Sequence, residues 1–143
     1  MRIPLDLSQQ KDRVSVIATV LVAGHFIPIK FVVDTGSPVT FIDEFDAKKF
    51  RIFTKNLKLD NHLLMAGTKI ALYKIGKAVI YFKDESSNLQ KMEFDELKVS
   101  QSAWSRAGTT YTGTSILGMD FLNENELHLF VDSKNNIAYI GKG

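Results

Sequence analysis

Two long runs rich in β-branched residues meet at a glycine turn early in the chain, and they leave little room for a helical fold. Val14 to Val22 reads VSVIATVLV and Phe26 to Val33 reads FIPIKFVV, with Ala23-Gly24-His25 between them. β-Branched side chains lose rotamer freedom in a helix and pack well on a pleated surface. Two such runs around a Gly-containing break predict a β-hairpin. Asp34-Thr35-Gly36-Ser37-Pro38 follows at once and predicts a turn, Val39 to Asp43 a further extended segment, and Glu44 to Phe50 a short helix capped by Asp43. Leu57 to Met65 and Lys69 to Lys74 flank a turn at Ala66-Gly67-Thr68, and Gly76 breaks the run before Ala78 to Phe82. Asp84 to Asn88 is a polar hairpin loop, followed by a strand from Met92 to Val99. Ser100 to Ser115 is Ser/Thr/Gly-rich and predicts a long loop, with Trp104 and Tyr111 in it. Ile116 to Asn123 has the look of a buried strand end entering a short helix. Leu127 to Val131 and Ile137 to Ile140 flank Ser133-Lys134-Asn135-Asn136 and predict a closing hairpin. The expectation is an all-β barrel or sandwich with one or two short helices.

Length and composition narrow the function. The chain has 143 residues, which suits a single domain spanning residues 1–143. No cysteine is present, so disulfides and thiolate metal sites are excluded. A net charge of +2, with no basic run, argues against a nucleic-acid partner. Apolar runs are too short for a membrane span, and Met1-Arg2-Ile3-Pro4-Leu5 is no secretory leader, so a cytoplasmic protein is expected. His25, His62 and His128 share no metal-ligand spacing; no metal and no cofactor is expected. Ser37 lies outside any nucleophile elbow.

The chemically informative segment is Phe31-Val32-Val33-Asp34-Thr35-Gly36-Ser37. An apolar strand drives Asp34 toward the interior, where an isolated charge is costly. Thr35 and Ser37 offer hydroxyl donors, and Gly36 leaves its backbone N–H unshielded. On the residues alone, Asp34 can equally end a strand in an ordinary Asx-type turn.

FVVDTGS, followed about 80 residues later by SILGMDFL, resembles the retropepsin-like aspartic peptidases: retroviral proteases with their cellular and prokaryotic relatives. The matching positions are Val32-Val33-Asp34-Thr35-Gly36 and Ile116-Leu117-Gly118, and the likeness runs from about Val14 to Leu122. It implies a pepsin-half closed barrel with a β-hairpin flap, and an aspartic endopeptidase working as a homodimer on a polypeptide. Asp34, with Thr35 and Gly36, would be catalytic. Thr35 would interlock with its symmetry mate, Gly36 would let the backbone approach the dyad, and Ser37 would bond the outer carboxylate oxygen. Gly118 would permit close packing beside the turn. Met65, Ala66, Gly67 and Thr68 would form the flap tip over the substrate; family flaps carry more glycine there than Gly67 alone. Val39, Ile70, Ile116 and Leu117 are pocket walls by the same analogy and plain core otherwise. In retroviral members the chain ends interleave at the interface, whereas here about twenty residues follow Leu122 and form a hairpin of their own. Asp120 is expected to serve only as a helix-start acid. A non-catalytic peptide-binding or dimerisation module on the same fold is the alternative.

Overall fold

Alternation of side chains sets the architecture. In the computed structural model, which describes residues 1–65, 67–101 and 113–142, strand β3 (Val14–Val22) buries Val14, Val16, Ala18, Val20 and Val22, while Ile17 on the opposite face is exposed. Strand β4 (His25–Val33) buries Ile29, Phe31 and Val33 with the same period of two. The two pair antiparallel from Ser15↔Val32 to Val22↔His25. His25 therefore opens β4 and does not belong to the turn, which is the two residues Ala23-Gly24. Such short loops match the twist of the flanking strands.

Two further strands precede this hairpin, β1 (Arg2–Pro4) and β2 (Asp6–Leu7). After the Asp34 turn come β5 (Phe41–Asp43) and helix α1 (Glu44–Lys49). The strand begins two residues later than Val39, because Val39 and Thr40 are held by turn contacts described below. Asp43 caps α1 as expected, its Oδ2 accepting from the Phe45 N–H at 3.0 Å. A single 3₁₀ turn (Thr54–Asn56) leads to β6 (Leu59–Met65), β7 (Thr68–Lys83) and β8 (Leu89–Gln101). Gly76 does not break β7. The pairing of β7 with β8 shifts register around it, so the strand continues through a bulge. β8 is longer than Met92 to Val99, since it pairs with β7 from Ala71 to Lys83. It takes in Ser100, and Ser115 opens strand β9 (Ser115–Leu117). Residues 102–112 of the expected long loop, Trp104 and Tyr111 included, lie outside the described residues, as does Ala66. Helix α2 (Met119–Glu124), β10 (His128–Asp132) and β11 (Ile137–Gly141) complete the chain.

Eight strands form one sheet in the order β2-β3-β4-β9-β5-β8-β7-β6, and β3 also pairs with β7, so six of them make a ring of paired strands. Inside the ring lie Val20, Ile29, Phe31, Ile80, Leu97 and Leu117, all buried. Phe121 of α2 plugs this core, with ring centroids 5.8 Å from Phe82 and 5.6 Å from Phe94. A separate three-stranded sheet has the order β1-β11-β10, so the C-terminal hairpin is built as expected but also receives the N-terminal strand. No helix among the described residues is long and apolar enough to cross a membrane.

Candidate active site

Asp34 stands at the point where β4 leaves the sheet. β4 and β9 run parallel, with Val32↔Ile116 and Val33↔Leu117 as partners, and the ladder ends on the Asp34 N–H donating to the Leu117 carbonyl at 3.0 Å. The chain then turns back, with the Ser37 N–H donating to the Asp34 carbonyl at 3.1 Å. Within that turn the Gly36 N–H donates to Asp34 Oδ1 at 2.8 Å. A Cβ on Gly36 would lie 3.1 Å from the same oxygen, a tight contact that glycine avoids. Among the described residues Oδ2 has no hydrogen-bond partner. Asp34 is half-buried in the single chain, not driven into the interior, because the strand ends at the sheet's rim; Thr35 and Gly36 are exposed.

Ser37 does something other than the resemblance implies. It is buried, but its hydroxyl donates to the Val39 carbonyl at 2.7 Å and leaves the carboxylate alone. Its carbonyl accepts from the Met119 N–H at 2.9 Å, which joins the turn to the start of α2. Gly118 is where the two segments touch. A Cβ there would sit 2.4 Å from the Val39 carbonyl oxygen and 2.8 Å from that of Ser37, so only glycine fits. The Gly118 N–H donates to Thr40 Oγ1 at 2.8 Å, and Thr40 donates in turn to Asp120 Oδ1 at 2.7 Å. Asp120 also accepts from the Phe121 N–H at 2.7 Å, the helix-start role expected of it. Thr40, fully buried, is the residue that sequence reasoning missed. A lone Thr after Pro38-Val39 belongs to no periodic pattern that would mark it.

The residues proposed as pocket walls divide. Leu117 is fully buried in the main core. Ile70 and Ile116 belong to a second apolar cluster with Phe41 and Leu72, against which Val32, Val39 and Leu63 pack. This cluster joins the β6/β7 hairpin to the strands that carry Asp34. The alternation of Val39 and Phe41 was the available signal for it. The hairpin itself closes on the pair Met65↔Thr68, with Gly67 exposed in the turn and Leu64 just before it 73% exposed. Asp34 also lines a cavity of about 440 Å³, together with Leu7, Arg13, Val32, Ile116 and Val131 among others.

At the base of the hairpin, Asp60 is the extra residue where β6 shifts register against β7. Its Oδ2 lies 2.8 Å from Lys98 Nζ on β8, and Lys98 is buried. The hydrogen bond from Lys98 is the main cause that holds the Asp60 carboxyl below its ordinary range, against partial desolvation.

The arrangement of strands, turn and glycine corner is the retropepsin-like fold. The chain superposes over 99% of its length on 91% of a retropepsin-like aspartic protease from Rickettsia conorii, with a TM-score of 0.63 and 21% identity. It also superposes over 82% of its length on 92% of the equine retrovirus EIAV protease, solved with the inhibitor HBY-793, with a TM-score of 0.51 and 13% identity. No protein-family model matches the sequence. No curated protein matches it either.

Proposed function

We propose that this chain is an aspartic endopeptidase acting as a homodimer, its dyad made of Asp34 from each of two copies. The observation that carries this reading is the state of the Asp34 carboxylate. One oxygen is aimed by the Gly36 N–H, and the other is left without a partner among the described residues. An acid with a purely structural role would tie distant segments together, as Asp120 does through Thr40, whereas Asp34 bonds only within its own turn. The reaction needs two carboxylates facing one water, and Asp120, the acid at the neighbouring glycine corner, is committed to Thr40 and the Phe121 N–H. A second copy of Asp34 supplies the partner across a two-fold axis.

In aspartic proteases generally, two carboxylates about 3 Å apart cannot both ionise, so they hold one proton between them. The ionised member takes a proton from the attacking water, and the protonated member polarises the scissile carbonyl. The titration belongs to the pair and not to either residue. Thr35 and Gly36, exposed in one chain, are the surface on which the partner's turn would seat. The β6/β7 hairpin acts as the flap, closing on Met65, Gly67 and Thr68 above an extended polypeptide. Backbone pairing gives affinity, and the Ile70–Ile116 cluster gives apolar side-chain contacts.

Asp34→Asn is expected to reduce cleavage of unstructured peptides by at least about a thousandfold while leaving the melting transition in place. Retained cleavage would put the chemistry elsewhere. Peptide binding by the unaltered chain without any cleavage would favour the non-catalytic module. The rate should follow a bell in pH on the acid side; a rate still climbing above neutrality is incompatible with a shared proton.

A further inference from the structure

Pairing register shows which side chains share the outside of the strand ring. On β3, Ile17 stands opposite Lys30 of β4, Thr19 opposite Pro28, and Leu21 opposite Phe26. Across the other edge of β3, Thr19 meets Tyr81 of β7 and Leu21 meets Val79. β7 carries the same face on to β8, with Tyr81 opposite Lys91 and Lys83 opposite Leu89. Directly opposed residues point to one face. Their chain neighbours Val20, Ile29, Ile80 and Phe82 are fully buried, so this set faces outward. Ile17 is 65%, Phe26 61% and Leu89 66% exposed. Single exposed apolar side chains are ordinary, but a group of them on one face marks a contact surface. Phe26 and Tyr81 hold their rings 6.1 Å apart there. Lys30, Lys83 and Lys91 are exposed among them, and no ion pair among the described residues engages any of these lysines. The acid on this face is Glu93, opposite Val79 at one corner.

We infer that this face docks on the surface of an anionic lipid bilayer, with Ile17 and Phe26 entering the boundary between headgroups and acyl chains and Lys30, Lys83 and Lys91 meeting the lipid phosphates. The inference is independent of the peptidase reading, since neither Asp34 nor the β6/β7 hairpin takes part in it. Charge selects the occupant. The same face of a second copy would bring lysines toward lysines, a repulsive arrangement. A protein partner is the poorer match, because the contact cores of protein interfaces are depleted in lysine and keep their charges at the rim. Here each lysine stands directly opposite an apolar or aromatic side chain: Lys30 opposite Ile17, Lys91 opposite Tyr81, Lys83 opposite Leu89. That interleaving suits a headgroup layer. Lysine stems lie along apolar surface while the ammonium groups stay at the level of the phosphates, and a tyrosine ring places its two ends in the same way. The contact is with the surface alone, as no helix among the described residues is long and apolar enough to cross a membrane.

The test is cosedimentation of the whole chain with lipid vesicles. Vesicles of phosphatidylcholine mixed with phosphatidylserine should carry the protein down at low salt and release it at high salt. Vesicles of phosphatidylcholine alone should bind it at least about tenfold less. Lys30→Glu combined with Lys83→Glu should weaken binding by more than about twentyfold. Lys55→Glu combined with Lys134→Glu changes the net charge equally at exposed positions off this face, and should cost less than about threefold. Ile17→Ser combined with Phe26→Ser leaves the charge alone and should weaken binding about tenfold. All of these side chains are exposed, so the melting transition should stay in place. Equal losses in the two lysine pairs would reduce the effect to net charge and overturn the assignment of this face. No retention on anionic vesicles at low salt overturns it outright. Retention on poly-glutamate but not on vesicles, abolished by Lys30→Glu with Lys83→Glu, would give the face to an acidic protein and overturn the lipid reading.

Discussion

Asp34 follows the end of β4 and Asp120 lies in the first turn of α2, just past the neighbouring strand β9; each is half-buried beside a glycine corner, and they have opposite fates. Asp120 accepts from a hydroxyl and a backbone N–H through one oxygen and pins α2 to the Thr40 segment. Asp34 accepts one backbone N–H from its own turn, and among the described residues its side chain is tied to no other segment. The difference teaches that the identity of an acid says little about its use. What matters is what its donors hold together, since a carboxylate that ties two segments by hydrogen bonds is poorly placed to exchange a proton.

Substitutions that treat the two acids alike should separate them most widely. Asp34→Asn is expected to remove activity and spare stability, whereas Asp120→Asn is expected to lower stability and keep activity in the fraction that remains folded. Equal losses of activity per folded molecule would erase the contrast. Next in size is Gly118→Ala, whose added methyl has only backbone oxygens to displace; it should cost about 3 kcal/mol in urea unfolding. Thr40→Val keeps the shape and deletes both hydrogen bonds, which strands the Gly118 N–H, and should cost about 1–3 kcal/mol. The smallest effect concerns the far end of the hairpin. The folded value of Asp60 lies below its unfolded one, so its support is complete above the ordinary carboxylate range and is lost as pH falls through the depressed value. Asp60→Asn should therefore lower the melting temperature by a few degrees at neutral pH, with the gap to the unaltered chain closing in acid. A gap that widens in acid would assign the stabilisation to another group.

Much of the fold was legible because it is written in local periodicity. Val14 to Val33 declares a hairpin by alternation and a glycine turn, and Asp43 declares a helix start by its type and place. The Asp34 turn was legible for the same reason, since a carboxylate between an apolar strand and a glycine is a local pattern. What stayed hidden depends on distant contacts. β1 contains a proline and only three residues, and becomes a strand because β11 is there to receive it. Gly76 resembles a break until the length of β8 shows that pairing continues past it. Ser37 is poised by sequence to serve the carboxylate, but in the folded turn its hydroxyl donates to the Val39 carbonyl. Thr40 acquires its role only when Gly118 and Asp120 arrive from the other end of the chain.

The parallel pairing of β4 with β9 has a temporal consequence. The Asp34 amide is anchored on Leu117, and its turn is braced by Gly118 and Met119, so the site borrows its shape from residues made late in synthesis. Closing so long a loop costs entropy that only the finished contacts offset. A ribosome-bound chain that has not yet released Leu117 carries the acid but no scaffold to aim it, and the turn takes its shape only once Leu117 and Gly118 have docked.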